Sequence, residues 1–80
     1  MISTIRKVIN EYIAEDLAVD VADIDNGDDL TFIGMDSLNL THLIVGLEKE
    51  FNIEFDDEYL EMNNFKTIKS IYNIITRIRG

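Results

Sequence analysis

Apolar residues recur along this chain in blocks at three- and four-residue spacing, the period of a helix with one buried face. Ile5, Val8, Ile9, Tyr12, Ile13 and Leu17 mark a first helix from about Ser3 to Leu17. Ser3 is its candidate N-cap, although Arg6 stands where a capping box places Glu. From Asp20 to Asp29 the pattern has neither helical nor strand period, and Asn26-Gly27 marks a turn. Val21, Ile24, Leu30 and Phe32 are expected to pin this connection onto the core. Irregular connections this long are uncommon in compact domains and are often functional.

Periodicity returns with a second helix that begins at Asp36 or Ser37 and ends near Phe51. Leu40, Leu43, Ile44, Leu47 and Phe51 form its core face. Leu38 and Val45 fall off that face, with Thr41 between them, and make a thinner second stripe. A short third helix is expected from Asp57 to Met62, capped by Asp56 or Asp57, with acids in its first turn and Asn63-Asn64 breaking it. The last helix starts at Lys66 or Thr67 and carries Ile68, Ile71, Tyr72, Ile74, Ile75 and Ile78, with Arg77 and Arg79 at its negative dipole end. The alternation in Ile53-Glu54-Phe55 is too short for a sheet. Three longer helices and one short third helix, with a long loop between the first two, predict an all-α fold, a small four-helix bundle. No repeat or linker divides the chain, so one domain over residues 1–80 is expected.

Size and charge narrow the function. Eighty residues hold one small core, and 46% hydrophobic residues are too many for a chain that stays disordered. The absence of Cys excludes disulfides and thiolate chemistry. Sixteen acids against seven bases give a net charge of -9, which disfavours a nucleic-acid partner. The acids fill the middle of the chain, whereas residues 65–80 carry Lys66, Lys69, Arg77 and Arg79 and no acid. Such a field steers a basic partner towards the middle. Arg6 and Lys7 interrupt the first apolar block, so no secretory signal is expected, and the longest apolar run, Leu43–Leu47, is far short of a membrane span. A monomer in the cytoplasm, away from membranes, is the expectation.

The inventory for catalysis is thin. His42 is the only histidine, and five residues along a helix it lies about 140° around the axis from Ser37, out of reach of that hydroxyl. No G-x-S-x-G elbow is present. Placing Gly27 at the sixth position of a calcium loop would put Ala22 and Ile24 at ligand positions and Ile33 where the bidentate Glu belongs, so no metal site is expected. The most informative stretch is Phe32-Ile33-Gly34-Met35-Asp36-Ser37-Leu38 ahead of the second helix. Gly34 permits a sharp turn, and Ser37 lands at a helix N-terminus, where the dipole favours an anion. Asp36 or Ser37 is either a simple N-cap, or Ser37 carries a phosphodiester installed by another protein.

With "FIGMDSL", "LIVGLEKEF", Ile53, Asp57 and the closing "FKTIKSI", the chain resembles the acyl carrier and peptidyl carrier proteins over nearly its whole length. The resemblance implies a free-standing, non-enzymatic carrier. Ser37 would receive 4'-phosphopantetheine from coenzyme A, and the arm's thiol would hold acyl, polyketide or aminoacyl intermediates as thioesters. Asp36 would serve recognition by the phosphopantetheinyl transferase, and Leu38, Thr41 and Val45 would contact partners. Those partners would be the transferase, an acyl- or aminoacyl-loading ligase or transferase, and downstream synthase or tailoring enzymes. Asn39, His42 and Lys49 depart from the consistently acidic recognition helix of fatty-acid-synthase carriers. Specialised polyketide, acyl or nonribosomal peptide metabolism is therefore favoured over primary fatty-acid synthesis. An acidic adaptor for a basic partner is the alternative outside the family.

Overall fold

The computed structural model describes residues 1–80 as an all-α bundle of 32 × 23 × 20 Å with no strand. Its helices are α1 (Ile2–Tyr12), α2 (Ser37–Phe51), α3 (Met62–Phe65) and α4 (Ile68–Arg79). The three longer helices each bury one apolar stripe, and the stripes meet in one core: Ile5, Val8 and Ile9 from α1, Leu43 and Leu47 from α2, and Ile68, Ile71 and Ile75 from α4. Phe65 from α3 fills the side between α2 and α4, its ring edge-to-face with Phe55 at 5.2 Å.

α1 and α2 approach closely because α2 carries Gly46 on the shared seam. A Cβ there would lie 2.7 Å from the Tyr12 ring and 2.8 Å from Val8 Cγ1. A mid-helix glycine costs about 1 kcal/mol against alanine, and here it is what lets the two backbones meet.

Three expected boundaries move. α1 ends at Tyr12, not Leu17, and the chain continues through a 3₁₀ turn at Ala14–Asp16. That turn keeps Ile13 and Leu17 buried, so the helical spacing outlives the helix. Ser3 lies inside α1 and caps nothing; Met1 occupies the N-cap without a side-chain bond. The third helix is displaced: Asp57–Tyr59 is a 3₁₀ turn, and α3 follows with Asn63 and Asn64 inside it. Asn64 donates from Nδ2 to the Tyr59 carbonyl at 2.9 Å, which joins the turn to the helix instead of breaking it.

The long connection is also more structured than its pattern suggests, with 3₁₀ turns at Val21–Asp23 and Leu30–Ile33. Ile24 and Leu30 pin it to the core as expected, and Val21 packs against it. Phe32 does not: its side chain is 87% exposed. Backbone bonds complete the attachment, from Ala18 N to Ile33 O at 2.7 Å, Leu30 N to Lys66 O at 2.7 Å, and Lys69 N to Asn26 O at 2.9 Å.

Candidate functional site

The start of α2 is fixed by its cap. Asp36 adopts an extended backbone and its Oδ1 accepts from Asn39 N at 2.9 Å, while Asn39 Oδ1 accepts from Asp36 N at 3.1 Å. This reciprocal box leaves Ser37 as the first helical residue, with an exposed side chain. Asn39 N and Leu40 N are taken up by Asp36, but the N–H groups of Ser37 and Leu38 have no acceptor within the protein. Two free donors at the positive end of a 15-residue helix suit a negatively charged group beside the Ser37 hydroxyl.

The approach to that end is equally constrained. Gly34 has φ of +121°, and a Cβ there would lie 2.5 Å from the Asp16 carbonyl oxygen. Glycine is required on both counts. Just upstream, Asp29 caps the Leu30–Ile33 turn, accepting from the amide and hydroxyl of Thr31, and its other oxygen faces Lys66 Nζ at 3.7 Å. The Thr31 hydroxyl bond, above all, holds the Asp29 carboxyl below its ordinary value, with the Thr31 amide and Lys66 adding to it.

Around Ser37 the expected contact residues stay outside. Leu38 is 65% and Val45 42% exposed, and Thr41, one turn beyond Ser37, donates from Oγ1 to the Ser37 carbonyl at 3.1 Å. Phe32 adds a third large apolar side chain on the connection that leads into α2. Its hydropathy and its place after Leu30 point inward, and nothing local in the sequence marks it as a surface residue. Asn39 is the other residue that the apolar pattern misses. It is 3% exposed, and only the Asp-x-x-Asn spacing of a capping box could have flagged it.

His42 is exposed, and no three His, Asp or Glu side chains converge as a metal site. Acids of the connection serve separate turns, Asp28 Oδ2 accepting from Asp25 N and Asp29 from Thr31. The chain's one cleft, about 220 Å³, is lined by Asn64, Ser70, Asn73, Ile74 and Arg77 and excludes Ser37. The bundle thus presents Ser37 at a capped helix start, away from that cleft.

The family model described as the phosphopantetheine attachment site matches residues 7–75, and the chain belongs to that family. It is 30% identical to the acyl carrier protein of Solidesulfovibrio magneticus, covering 96% of this chain and 97% of that one. It is 38% identical to the acyl carrier protein of Buchnera aphidicola subsp. Baizongia pistaciae, covering 91% and 92%. Among solved structures it is similar to a chain in the complex of an engineered Bradyrhizobium japonicum glycine:[carrier protein] ligase with a carrier protein from Agrobacterium tumefaciens and ATP. The TM-score is 0.90 at 31% identity, covering 96% of this chain and 97% of that chain. The corresponding complex with AMP gives 0.88 at 32% identity, covering 95% and 99%. The protein is thus a non-catalytic carrier that bears 4'-phosphopantetheine covalently and delivers bound intermediates to partner enzymes. No helix is long and apolar enough to cross a membrane.

Proposed function

We propose that Ser37 is the attachment site and that residues 1–80 work as one carrier domain, monomeric and cytoplasmic, in a dedicated acyl, polyketide or aminoacyl pathway. One observation carries the site: the exposed Ser37 side chain stands at the capped N-terminus of α2, beside two N–H groups that lack acceptors. A phosphodiester formed there from coenzyme A places its charge where the helix dipole favours it. Once attached, the arm supplies a terminal thiol that holds cargo as a thioester.

Asp36 has two roles in this reading. It caps α2, and its exposed position next to Ser37 makes it an acid for the phosphopantetheinyl transferase to read. Leu38, Thr41 and Val45 form the contact stripe for the transferase, the loading ligase or transferase, and downstream synthase or tailoring enzymes. Phe32 extends that apolar surface onto the connection. Small apolar contacts rimmed by acids suit brief docking to several enzymes in turn, with charge speeding encounter. The exposed departures at His42 and Lys49 support specialised rather than primary fatty-acid metabolism, whereas Asn39, buried in the cap, does not face a partner.

Intact-protein mass spectrometry after incubation with coenzyme A and a broad-specificity transferase tests the site. The wild type gains one phosphopantetheinyl group, and Ser37→Ala gains none while keeping its helical content. An unshifted wild type with several active transferases, or a shift that survives in Ser37→Ala, refutes the assignment.

A further inference from the structure

Asn39 is the one buried polar residue in this protein, and both ends of its amide are in use. Its oxygen accepts from Asp36 N, closing the cap on α2. Its nitrogen donates to Asp16 Oδ2 at 2.6 Å, across 23 residues of chain. The second bond is not needed for capping: the usual third-position partner in such a box is Glu or Gln, which offers an oxygen and nothing else to the cap.

Asp16 is anchored independently of Asn39. It closes the 3₁₀ turn after α1, with its own N donating to Ile13 O at 3.0 Å. Its carbonyl lies against Gly34, where no side chain fits. The next residues are tied down too, Leu17 by burial and Ala18 by its bond to Ile33 O. Asp16 therefore meets the approach to Ser37 twice, through its backbone at Gly34 and through its carboxylate at Asn39.

We propose that Asn39 is a positioning residue for the modification of Ser37, and that the Asp16 carboxylate orients it. This rests on the reading of Ser37 as the attachment site. The amide transmits the fixed end of the α1 turn to the Asp36–Ser37 backbone, and that backbone sets where the hydroxyl stands when a transferase docks. The pairing explains why an amide occupies position 39. A carboxylate there would keep the acceptor for Asp36 N but would lose the donor and face Asp16 at hydrogen-bond distance, a like-charge contact with one partner buried. A charge-assisted bond is roughly twice as strong as a neutral one, which favours Asp over Asn at position 16.

The test is a double-mutant cycle on Asp16→Asn and Asn39→Asp, reading kcat and KM for transfer from coenzyme A by a broad-specificity transferase. Circular dichroism and thermal midpoints accompany each variant, with kinetics run well below the midpoints. Asn39→Asp lowers kcat about 10- to 100-fold, the scale for a slightly misplaced reacting group. KM for the carrier changes little, because Phe32, Leu38 and Val45 still dock. Asp16→Asn alone lowers kcat only a few-fold, since the neutral amide oxygen still accepts. The swapped double variant returns to the Asp16→Asn value, because the amide then on the α1 turn donates to the carboxylate then on α2.

A wild type that is never modified refutes the Ser37 reading itself. With the wild type modified, a folded Asn39→Asp protein at wild-type kcat overturns the inference, even if its midpoint has dropped. A swapped protein as slow as the Asn39→Asp variant also overturns it. If Asn39→Asp does not fold, the swapped protein decides: folded with restored kcat supports the pairing, and folded but slow, or still unfolded, overturns it.

Discussion

Between α1 and α2 the chain runs through residues 13–36, and between α2 and α4 it runs through residues 52–67, with α3 inside; both stretches leave the helical repeat and return to a capped helix. The first is held by directional bonds to three helices. Arg6 of α1 donates to Val21 O at 3.0 Å and to Asn26 Oδ1 at 2.8 Å, Lys69 of α4 donates its N–H to Asn26 O, and Asn39 of α2 holds Asp16. The second makes fewer side-chain bonds to the helices. Phe55 and Phe65 meet edge-to-face in the core, and its ties back to α2 include Phe55 N to Glu48 Oε2 at 2.9 Å and Ile53 N to Glu48 O at 3.1 Å. Apolar burial is strong but tolerates small shifts, whereas hydrogen bonds fix register. The stretch that presents Ser37 adds these register-fixing bonds to the burial of Ile13, Leu17, Ile24, Leu30 and Met35.

The largest expected effect sharpens that contrast from the apolar side. Phe65→Ala should destabilise the bundle by roughly 3–5 kcal/mol in urea unfolding, the range for emptying a buried aromatic site. Its kcat for modification of Ser37 should nevertheless stay near wild type below the midpoint. A slow but folded Phe65→Ala protein would break the comparison. Gly34→Ala comes next and should do both kinds of damage, because a Cβ meets the Asp16 carbonyl at 2.5 Å with φ at +121°. Strain of this sort costs on the order of 1–3 kcal/mol, and modification should slow in the folded fraction.

Arg6→Met keeps the apolar stem and removes the two bonds to the first connection. A loss of roughly 0.5–1.5 kcal/mol in chemical denaturation is expected. No change would show that Val21 and Asn26 are held without it. The smallest effect is a pH signature at Asp29. Its folded-state value is depressed by Thr31 and Lys66, so its contribution is present at neutral pH and disappears as pH falls through that lowered value. Wild type should therefore exceed Asp29→Asn in stability at neutral pH, and the two curves should converge below pH 3.8, the ordinary Asp value. Curves that stay parallel in acid would show that the Asp29 charge, with its Thr31 and Lys66 partners, adds nothing to the stability of the turn.

Legibility in the sequence follows the same division. The starts of α2 and α4 can be placed because each pairs a periodic apolar face with a polar cap, Asp36 and Thr67. The end of α1 is overrun because Ile13 and Leu17 keep helical spacing while the backbone tightens into a 3₁₀ turn. α3 is set too early because the acids at Asp57 and Glu58 imitate a helix start. At the candidate site, Ser37, Asp36 and the outward stripe of Leu38, Thr41 and Val45 can all be read from spacing and the family motif. Phe32 cannot, since hydropathy alone sends a phenylalanine inward. The Asp16–Asn39 bond spans two elements whose relative placement no local pattern contains.

The bonds from Leu30 N to Lys66 O and from Ala18 N to Ile33 O have one more consequence, seen from the solvent's side. Deuterium would find the first connection divided. The amide hydrogens of Ala18, Leu30 and Met35 should exchange only when the bundle opens as a whole, on the same clock as the buried turns of α1 and α4. Those of Gly27 and Asp23's exposed neighbour Ala22, a few residues away, should be lost almost at once. That exchange pattern would place the stretch ahead of Ser37 in the same cooperative unit as the core.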